Sequence, residues 1–178
     1  NACEKGNAAE CRLLLIQRAA PDMCASDGQS PLYLACRADS LECARMLLHR
    51  QRATANLVTN AGFSPVFVTA QQGNLQMLQL LLEERADVHL NAKDGRTPLY
   101  AACERGHDAI ATRLLRLGVK VDAARTGGST ALIAAATYGR TRCVQMLLEA
   151  QADLSVTDGD GDTAALNAWK AGKQEIAE

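Results

Sequence analysis

The sequence predicts an all-α solenoid, in which short antiparallel helix pairs stack side by side and short β-hairpin-like finger loops join them. Three observations support this fold class. A pattern of about 33 residues repeats along the chain, a leucine pair recurs at one place in each copy, and a hydroxyl residue marks one helix start per copy. Because a single helix pair cannot bury its own apolar face, we expect a core that runs continuously along the stack.

The repeat emerges when the chain is aligned on itself. Segments of the form Gly-x-Ser/Thr belong to copies that start at residues 27, 61, 94, 127 and 160, at steps of 34, 33, 33 and 33. We therefore expect one array over residues 1–178, with a truncated first copy 1–26, full copies 27–60, 61–93, 94–126 and 127–159, and a truncated last copy 160–178. The extra residue in the step of 34 is expected in the turn after a second helix, where a longer surface turn is tolerated.

The first helix of each copy, here called the inner helix, is predicted to begin at a hydroxyl residue. Ser30, Ser64 and Thr97 are each followed by proline, whereas Thr130 and Thr163 are followed by alanine. A hydroxyl accepts a hydrogen bond from an unpaired N–H of the first turn, and proline fits the first helical position because its missing N–H costs nothing there.

The second helix of each copy, here called the outer helix, carries the leucine pair. The pairs are Leu14-Leu15, Leu47-Leu48, Leu81-Leu82, Leu114-Leu115 and Leu147-Leu148. Arg18, Arg52 and Arg85 occupy the turn position after this helix, where the copy 94–126 has Gly118. Since the chain often turns left-handed at a helix end, we expect these arginines to have a structural role at some cost in local strain.

The segment DGRTPLYAACERGHDAIATRLLRLGVKVD closely resembles an ankyrin repeat, and the resemblance extends over the whole chain. The TPLH-type motif of that family appears as SPLY, SPVF, TPLY, TALI and TAAL. Its usual histidine is replaced by Tyr33, Phe67, Tyr100, Ile133 and Leu166, so the hydrogen bonds that this histidine makes between repeats are not carried over. The resemblance implies an ankyrin-repeat solenoid that recognises another protein.

Composition excludes several classes of function. Nineteen basic and twenty acidic residues give a net charge of -1, so charge offers no argument for a nucleic-acid partner or an anionic membrane. No apolar run approaches the roughly 18–20 residues of a membrane helix.

The cysteines indicate where the protein is expected in the cell. Seven cysteines without a CxxC pair suit free thiols, and free thiols suit a reducing compartment, so we expect an intracellular location in cytoplasm or nucleus. The chain starts without an initiator Met, so we expect a segment of a longer protein.

One stretch, TDGDGDTA, looks like the start of a calcium loop, because Asp158, Asp160 and Asp162 alternate. Such a loop needs Gly at its sixth position and Glu at its twelfth, where this chain has Thr163 and Trp169. The repeat also places a helix start at Thr163. We therefore expect an acidic finger tip, with no metal and no cofactor.

The remaining reactive residues also fit structural roles. The repeat places Cys3, Cys36 and Cys103 in one inner-helix position and Cys43 and Cys143 in one outer-helix position, with Cys11 one position further on, so they are expected to pack as small apolar groups. Only Cys24 is expected to be exposed. The three histidines lack the spacing of a zinc site, and no nucleophile elbow, Walker loop or dinucleotide motif occurs. No catalytic residue is predicted.

Recognition is expected on the concave face, meaning the finger tips and the exposed surface of the inner helices. Phe63 and Tyr138 are aromatic at positions expected to face solvent, in a chain with only 3% aromatic residues. The alternative is that Phe63 folds against its own loop and Tyr138 covers an inner helix. The candidate partner-binding residues are Arg37, Phe63, Gln72, Lys93, Arg96, Arg105 and Tyr138. Aromatic residues and arginine are common interface anchors, and the basic centre favours an acidic or phosphorylated partner segment.

The leading hypothesis is a non-enzymatic protein-interaction module, a scaffold or adaptor that binds a partner protein or peptide on the concave face. A preformed surface of stacked repeats needs no large rearrangement to bind. The alternative is a regulatory or targeting segment of a larger multidomain enzyme, kinase or channel. The partner's identity and the oligomeric state are left open.

Overall fold

A computed structural model of the protein describes residues 2, 5, 9, 20–50 and 53–177. These residues form ten α-helices, and their only β-structure is a single bridge between Thr157 and Thr163. The predicted all-α class is confirmed. None of the helices in these ranges has the length and apolar character needed to cross a bilayer.

The helices alternate between two layers, and each inner helix packs against its own outer helix and the neighbouring inner helices. The inner helices are α1 (Pro31–Arg37), α3 (Pro65–Gln72), α5 (Pro98–Arg105), α7 (Ala131–Thr137) and α9 (Ala164–Lys170). The outer helices are α2 (Leu41–Arg45), α4 (Leu75–Glu83), α6 (Asp108–Arg116), α8 (Thr141–Glu149) and α10 (Gln174–Ala177).

All five predicted hydroxyl caps are confirmed. Ser30, Ser64, Thr97, Thr130 and Thr163 each accept a hydrogen bond from the backbone N–H three residues further on. A cap of this kind stabilises a helix by about 1 kcal/mol. The inner helices therefore start at fixed points, which sets where each finger ends.

The core lies between the two helix layers. The first leucine of each described pair, namely Leu47, Leu81, Leu114 and Leu147, is at most 1% exposed. The second leucine varies: Leu48 is buried, Leu82 and Leu115 are half-buried, and Leu148 is 43% exposed. As predicted, Cys36, Cys43, Cys103 and Cys143 are buried, and Cys24 is exposed. Cys3 and Cys11 lie outside the described residues.

The extra residue of copy 27–60 is accommodated inside the outer helix, which corrects the prediction of a longer turn after it. Helix α2 continues as a π-helical segment, Met46–Arg50. The N–H of Ala53 donates to the carbonyl of Leu47, six residues back, whereas the equivalent bond of Ala86 reaches Leu81, five residues back. A single π-helical turn absorbs one residue, so the leucines stay aligned with the other copies.

The turn after the outer helix is left-handed even where it lacks glycine. Arg85 has φ +58° and Gln151 has φ +61°, at the position where Gly118 has φ +74°. The strain expected at Arg85 is therefore present, whereas Gln151 was not anticipated. Arg18 and Arg52 lie outside the described residues. The same conformation recurs at Asp39, φ +56°, which replaces the glycine that closes the other inner helices.

Side chains at the outer-helix starts join adjacent copies. His107 donates from Nε2 to the carbonyl of Gln71 at 3.1 Å, and Arg140 donates from Nε to the carbonyl of Glu104 at 3.1 Å. Each carbonyl belongs to the last turn of the inner helix in the preceding copy, where backbone acceptors lack helical partners. These bonds help to fix the stacking of one copy on the next.

Candidate partner-binding surface

The fingers are tight turns that share one hydrogen-bond pattern. In the finger before α5, the N–H of Gly95 donates to Ala92 and the N–H of Ala92 donates to the carbonyl of Arg96, both at 2.9 Å. The other four described fingers repeat these two bonds. Each finger is therefore closed by its own backbone, and in four of them an Asp or Thr side chain accepts a further hydrogen bond, as Asp94 does from the N–H of Arg96.

Adjacent fingers are also joined to one another. One backbone N–H of each finger donates to a carbonyl of the preceding finger: Asn60 to Asp27, Lys93 to Ala61, Thr126 to Asp94 and Gly159 to Gly127, at 2.6 to 2.9 Å. We call this series the finger ladder. It holds the finger tips at a fixed spacing along one side of the array.

Glycine is needed where the fingers meet. Gly62 has φ +86°, and a Cβ on it would lie 2.7 Å from the backbone nitrogen of Lys93. A side chain there would strain the backbone and push the next finger away. The finger ladder therefore depends on this close backbone approach.

The basic centre predicted from the sequence is partly neutralised. Arg96 lies over two aromatic rings, with its guanidinium carbon 5.2 Å from the centre of Phe63 and 5.8 Å from that of Phe67. Its Nε donates to a carboxylate oxygen of Asp94 at 2.7 Å. Burial raises the pKa of Asp94, but the hydrogen bonds from Arg96 outweigh it and leave that pKa lowered. The two rings are 4.7 Å apart, so Phe63 is half-buried against its own inner helix.

The seven candidate residues divide into two groups. Arg37, Phe63 and Arg96 are half-buried, and Nη1 of Arg37 donates to Gln29 at 2.7 Å. The exposed candidates are Gln72, Lys93, Arg105 and Tyr138. Nε of Arg105 lies 3.8 Å from a carboxylate oxygen of the half-buried Glu104, and because the arginine itself is exposed this ion pair contributes little energy. The structure brings Phe63 and Arg96 into contact and leaves the other four side chains exposed to solvent.

A pocket of about 360 Å³ lies between the fourth and fifth fingers. Its lining includes Tyr100, Arg125, Ser129, Tyr138 and Asp160. Arg125 was not among the residues predicted from the sequence. A signal was present, because the three earlier fingers have the uncharged residues Ala25, Thr59 and Ala92 at this position.

Arg125 bonds to Tyr100, the residue that occupies the position of the missing histidine in copy 94–126. Its Nε donates to the hydroxyl oxygen of Tyr100 at 3.1 Å, and its guanidinium carbon lies 6.0 Å from the centre of that ring. Its Nη1 donates to the carbonyl of Thr126 at 3.2 Å. A charged group is thus held at the pocket by the hydroxyl of Tyr100 on α5 and by a backbone carbonyl of its own finger.

The acidic finger organises its own carboxylates. Asp158 accepts hydrogen bonds from the backbone N–H of Asp160 and Asp162 and from the amide of Asn167, which lowers its pKa. Asp162 contacts the ammonium of Lys170 and raises the pKa of that lysine. Although carboxylate oxygens of the three aspartates lie within 4.8 Å of one another, Thr163 caps α9 as the repeat predicted. The finger has the turn of the other copies.

The stacked helix pairs and the finger ladder define a helical-repeat array. A family model described as "Ankyrin repeats (3 copies)" matches residues 1–92 and again residues 66–158. The chain belongs to the ankyrin repeat family, whose repeats are generally protein–protein interaction modules and are typically non-enzymatic.

Among curated proteins, the chain is similar to "Ankyrin repeat and SOCS box protein 3" of Bos taurus. The two sequences are 32% identical over 88 residues, which is 48% of this chain and 17% of that protein. The similarity thus covers about half of this chain and a small part of its relative.

Proposed function

We propose that the array binds a segment of a partner protein along its concave face, without catalysis. The observation that carries this proposal is the finger ladder, because backbone bonds between successive fingers fix the spacing of the exposed side chains before any partner arrives. Less conformational freedom is then lost on binding. Gln72, Lys93, Arg105 and Tyr138 are the exposed side chains that a partner reaches first.

The partner segment proposed for the centre of this face is acidic or phosphorylated. Lys93 and Arg105 are exposed, and charged side chains at such positions steer association and select partners of opposite charge. Phe63 and Arg96, also among the proposed partner-binding residues, are half-buried and contact each other. Arg37 extends the same face toward the first full copy.

A matched pair of charge reversals tests this surface. The concave variant is Lys93→Glu with Arg105→Glu, and the control is Arg113→Glu with Arg116→Glu on α6, both exposed on the outer side. Arg96 is left unchanged because reversing it would break its contacts with Asp94 and Phe63.

Affinity capture from the source cell, read by quantitative mass spectrometry, provides the measurement. A partner retained by the native array and by the α6 control, but lost by the concave variant, is the expected result. Equal retention by both double variants would contradict the proposed surface. Urea unfolding of all three proteins shows whether their stability is matched.

A second candidate function is a targeting or regulatory segment of a larger multidomain protein. It is favoured by the relative whose name records a SOCS box besides ankyrin repeats, and of which the similar stretch is only 17%. An antibody raised against this array would then detect a protein much longer than 178 residues in the source cell. Detection of a protein of that length alone would exclude this candidate.

An intracellular location is part of the proposal. The described cysteines Cys24, Cys36, Cys103 and Cys143 are free thiols, and the last three of them are buried. Free thiols suit a reducing compartment. Imaging of the tagged full-length protein would test this location.

A further inference from the structure

We infer that the pocket between the fourth and fifth fingers takes a basic side chain, preferably arginine, from the partner segment. This inference rests on the proposed function, since it assumes an extended segment lying along the concave face. The partner segment would then carry a basic side chain in this pocket in addition to the acidic or phosphorylated residues proposed for the centre of the face.

The pocket exists because the fourth finger has small residues where its neighbours have large ones. Gly127 and Ser129 occupy two finger positions that are filled by Asp94 and Arg96 in the preceding finger and by Asp160 and Asp162 in the following one. A Cβ on Gly127 would meet nothing within 4 Å. The resulting volume of about 360 Å³ falls within the range of about 300–1,000 Å³ typical of small-molecule pockets.

The charges around this pocket favour a cation. Asp160 is exposed, and no hydrogen bond or direct ion pair from the described residues reaches its carboxylate. Asp158 is a second carboxylate of the lining, while the charge of Asp162 is offset by Lys170. Arg125 is the only cationic group of the lining. The carboxylates outnumber it, and an incoming guanidinium can pair with Asp160.

Arg125 has a different task in this arrangement. Two of its nitrogens are already engaged by Tyr100 and by the carbonyl of Thr126. Its guanidinium is therefore held by α5 and by its own finger, and it forms no ion pair with Asp160 among the described residues. A held guanidinium suits backbone carbonyls of the incoming segment, whose peptide oxygens are acceptors without a full charge.

The exposed aromatic ring favours arginine over lysine. Tyr138 lies at the rim and is 51% exposed, although it is a large apolar group. A planar guanidinium stacks on such a ring and still donates to a carboxylate, whereas an ammonium offers only a point charge. Tyr138 and Asp160 are therefore the specificity-determining residues of the pocket.

Selection from a library of random twelve-residue peptides tests the inference without a known partner. The peptides are selected on the immobilised native array, and the enriched ones are then measured against variants by fluorescence polarisation. The pocket variants are Asp160→Asn, Tyr138→Ala and Ser129→Gln, the last because Gln29 occupies that position in the first full copy. The control is Glu149→Gln, which removes an exposed carboxylate at the end of outer helix α8.

The expected result is a family of peptides with arginine at one fixed position. Their affinity should fall about tenfold for Asp160→Asn, as expected for the loss of one favourable charged contact, and stay unchanged for Glu149→Gln. Replacing that arginine by lysine should weaken binding, and replacing it by glutamate should abolish it. Because the side chain of Asp160 accepts no hydrogen bond from the described residues, Asp160→Asn should unfold at the native temperature.

Four other results would overturn the inference, and they separate it from the proposed function. Peptides that respond to Lys93→Glu with Arg105→Glu, but ignore the pocket variants, would refute the arginine pocket and keep the concave face. Peptides with an acidic residue at the fixed position, bound normally by Asp160→Asn, would do the same. Peptides indifferent to every concave variant, or no enriched peptide at all, would count against both.

Discussion

Replacing Gly62 by alanine should destabilise the array more than the same change at Gly118, because only the first glycine meets another finger. Both have positive φ, +86° and +74°, so alanine costs each of them about 1–2 kcal/mol of backbone strain. A Cβ at Gly118 meets nothing within 4 Å, whereas one at Gly62 would lie 2.7 Å from the nitrogen of Lys93. The next finger must then move, and its 2.9 Å bond from Lys93 to Ala61 breaks. Losing that bond adds about 0.5–1.5 kcal/mol.

Equilibrium urea unfolding followed by circular dichroism at 222 nm measures the two costs. We expect the midpoint to fall in both variants, with Gly62→Ala the lower by an amount equivalent to about 1 kcal/mol and with unchanged slope. Hydrogen exchange adds a local reading, since the amide of Lys93 should exchange faster in Gly62→Ala and at the native rate in Gly118→Ala. Equal midpoints together with a protected Lys93 amide would refute the finger ladder.

Three further changes test other parts of the fold. Arg85→Gly should raise stability by up to about 1 kcal/mol, since it removes a side chain from a left-handed turn and loses part of that gain to chain entropy; a lower urea midpoint would contradict this. Arg140→Ala should lower the free energy of unfolding by about 1 kcal/mol, because the hydrogen bond to the carbonyl of Glu104 is lost. An unchanged melting temperature would show that this bond does not stabilise the fold. The amide of Asn167 holds the pKa of Asp158 below its ordinary 3.8 in the folded protein. The ionised Asp158 therefore stabilises the fold above pH 3.8, and this stabilisation is lost as the pH falls through the lower pKa of the folded state. Urea midpoints between about pH 5 and 2 should therefore fall less in Asn167→Ala, and identical pH profiles would rule this out.

The fold could be predicted from the sequence because its signals are local and repeated. A hydroxyl at a helix start determines one hydrogen bond within four residues, so Ser64 and Thr163 were assigned as caps without knowledge of their surroundings. The leucine spacing likewise determines which side of an outer helix is buried. By contrast, the π-helical segment Met46–Arg50 was not predicted. An inserted residue can be accommodated either in the helix or in the turn after it, and the choice depends on backbone hydrogen bonds that the sequence does not reveal.

The candidate surface was less predictable, because it depends on contacts between copies. Each finger tip was identified, but the sequence does not show that Arg96 pairs with Asp94 over two aromatic rings and so offers less charge to a partner. Nor does it show that Arg125, in the fourth finger, reaches Tyr100 on inner helix α5, 25 residues back in the chain. The small size of Ser129 is visible in the sequence, yet it defines a pocket only once the neighbouring fingers are in place.

The most direct test of the account is to find which side of the array a bound partner contacts. A photo-crosslinking amino acid can replace Gln72 at the end of α3, the inner helix after the second finger, or Tyr138 beside the pocket. The matched exposed positions Gln76 on α4 and Gln145 on α8 serve as outer-helix probes. The partner identified by affinity capture should crosslink from Gln72 and Tyr138 and not from the outer helices. Crosslinks from Gln76 and Gln145 alone would contradict recognition by the concave face.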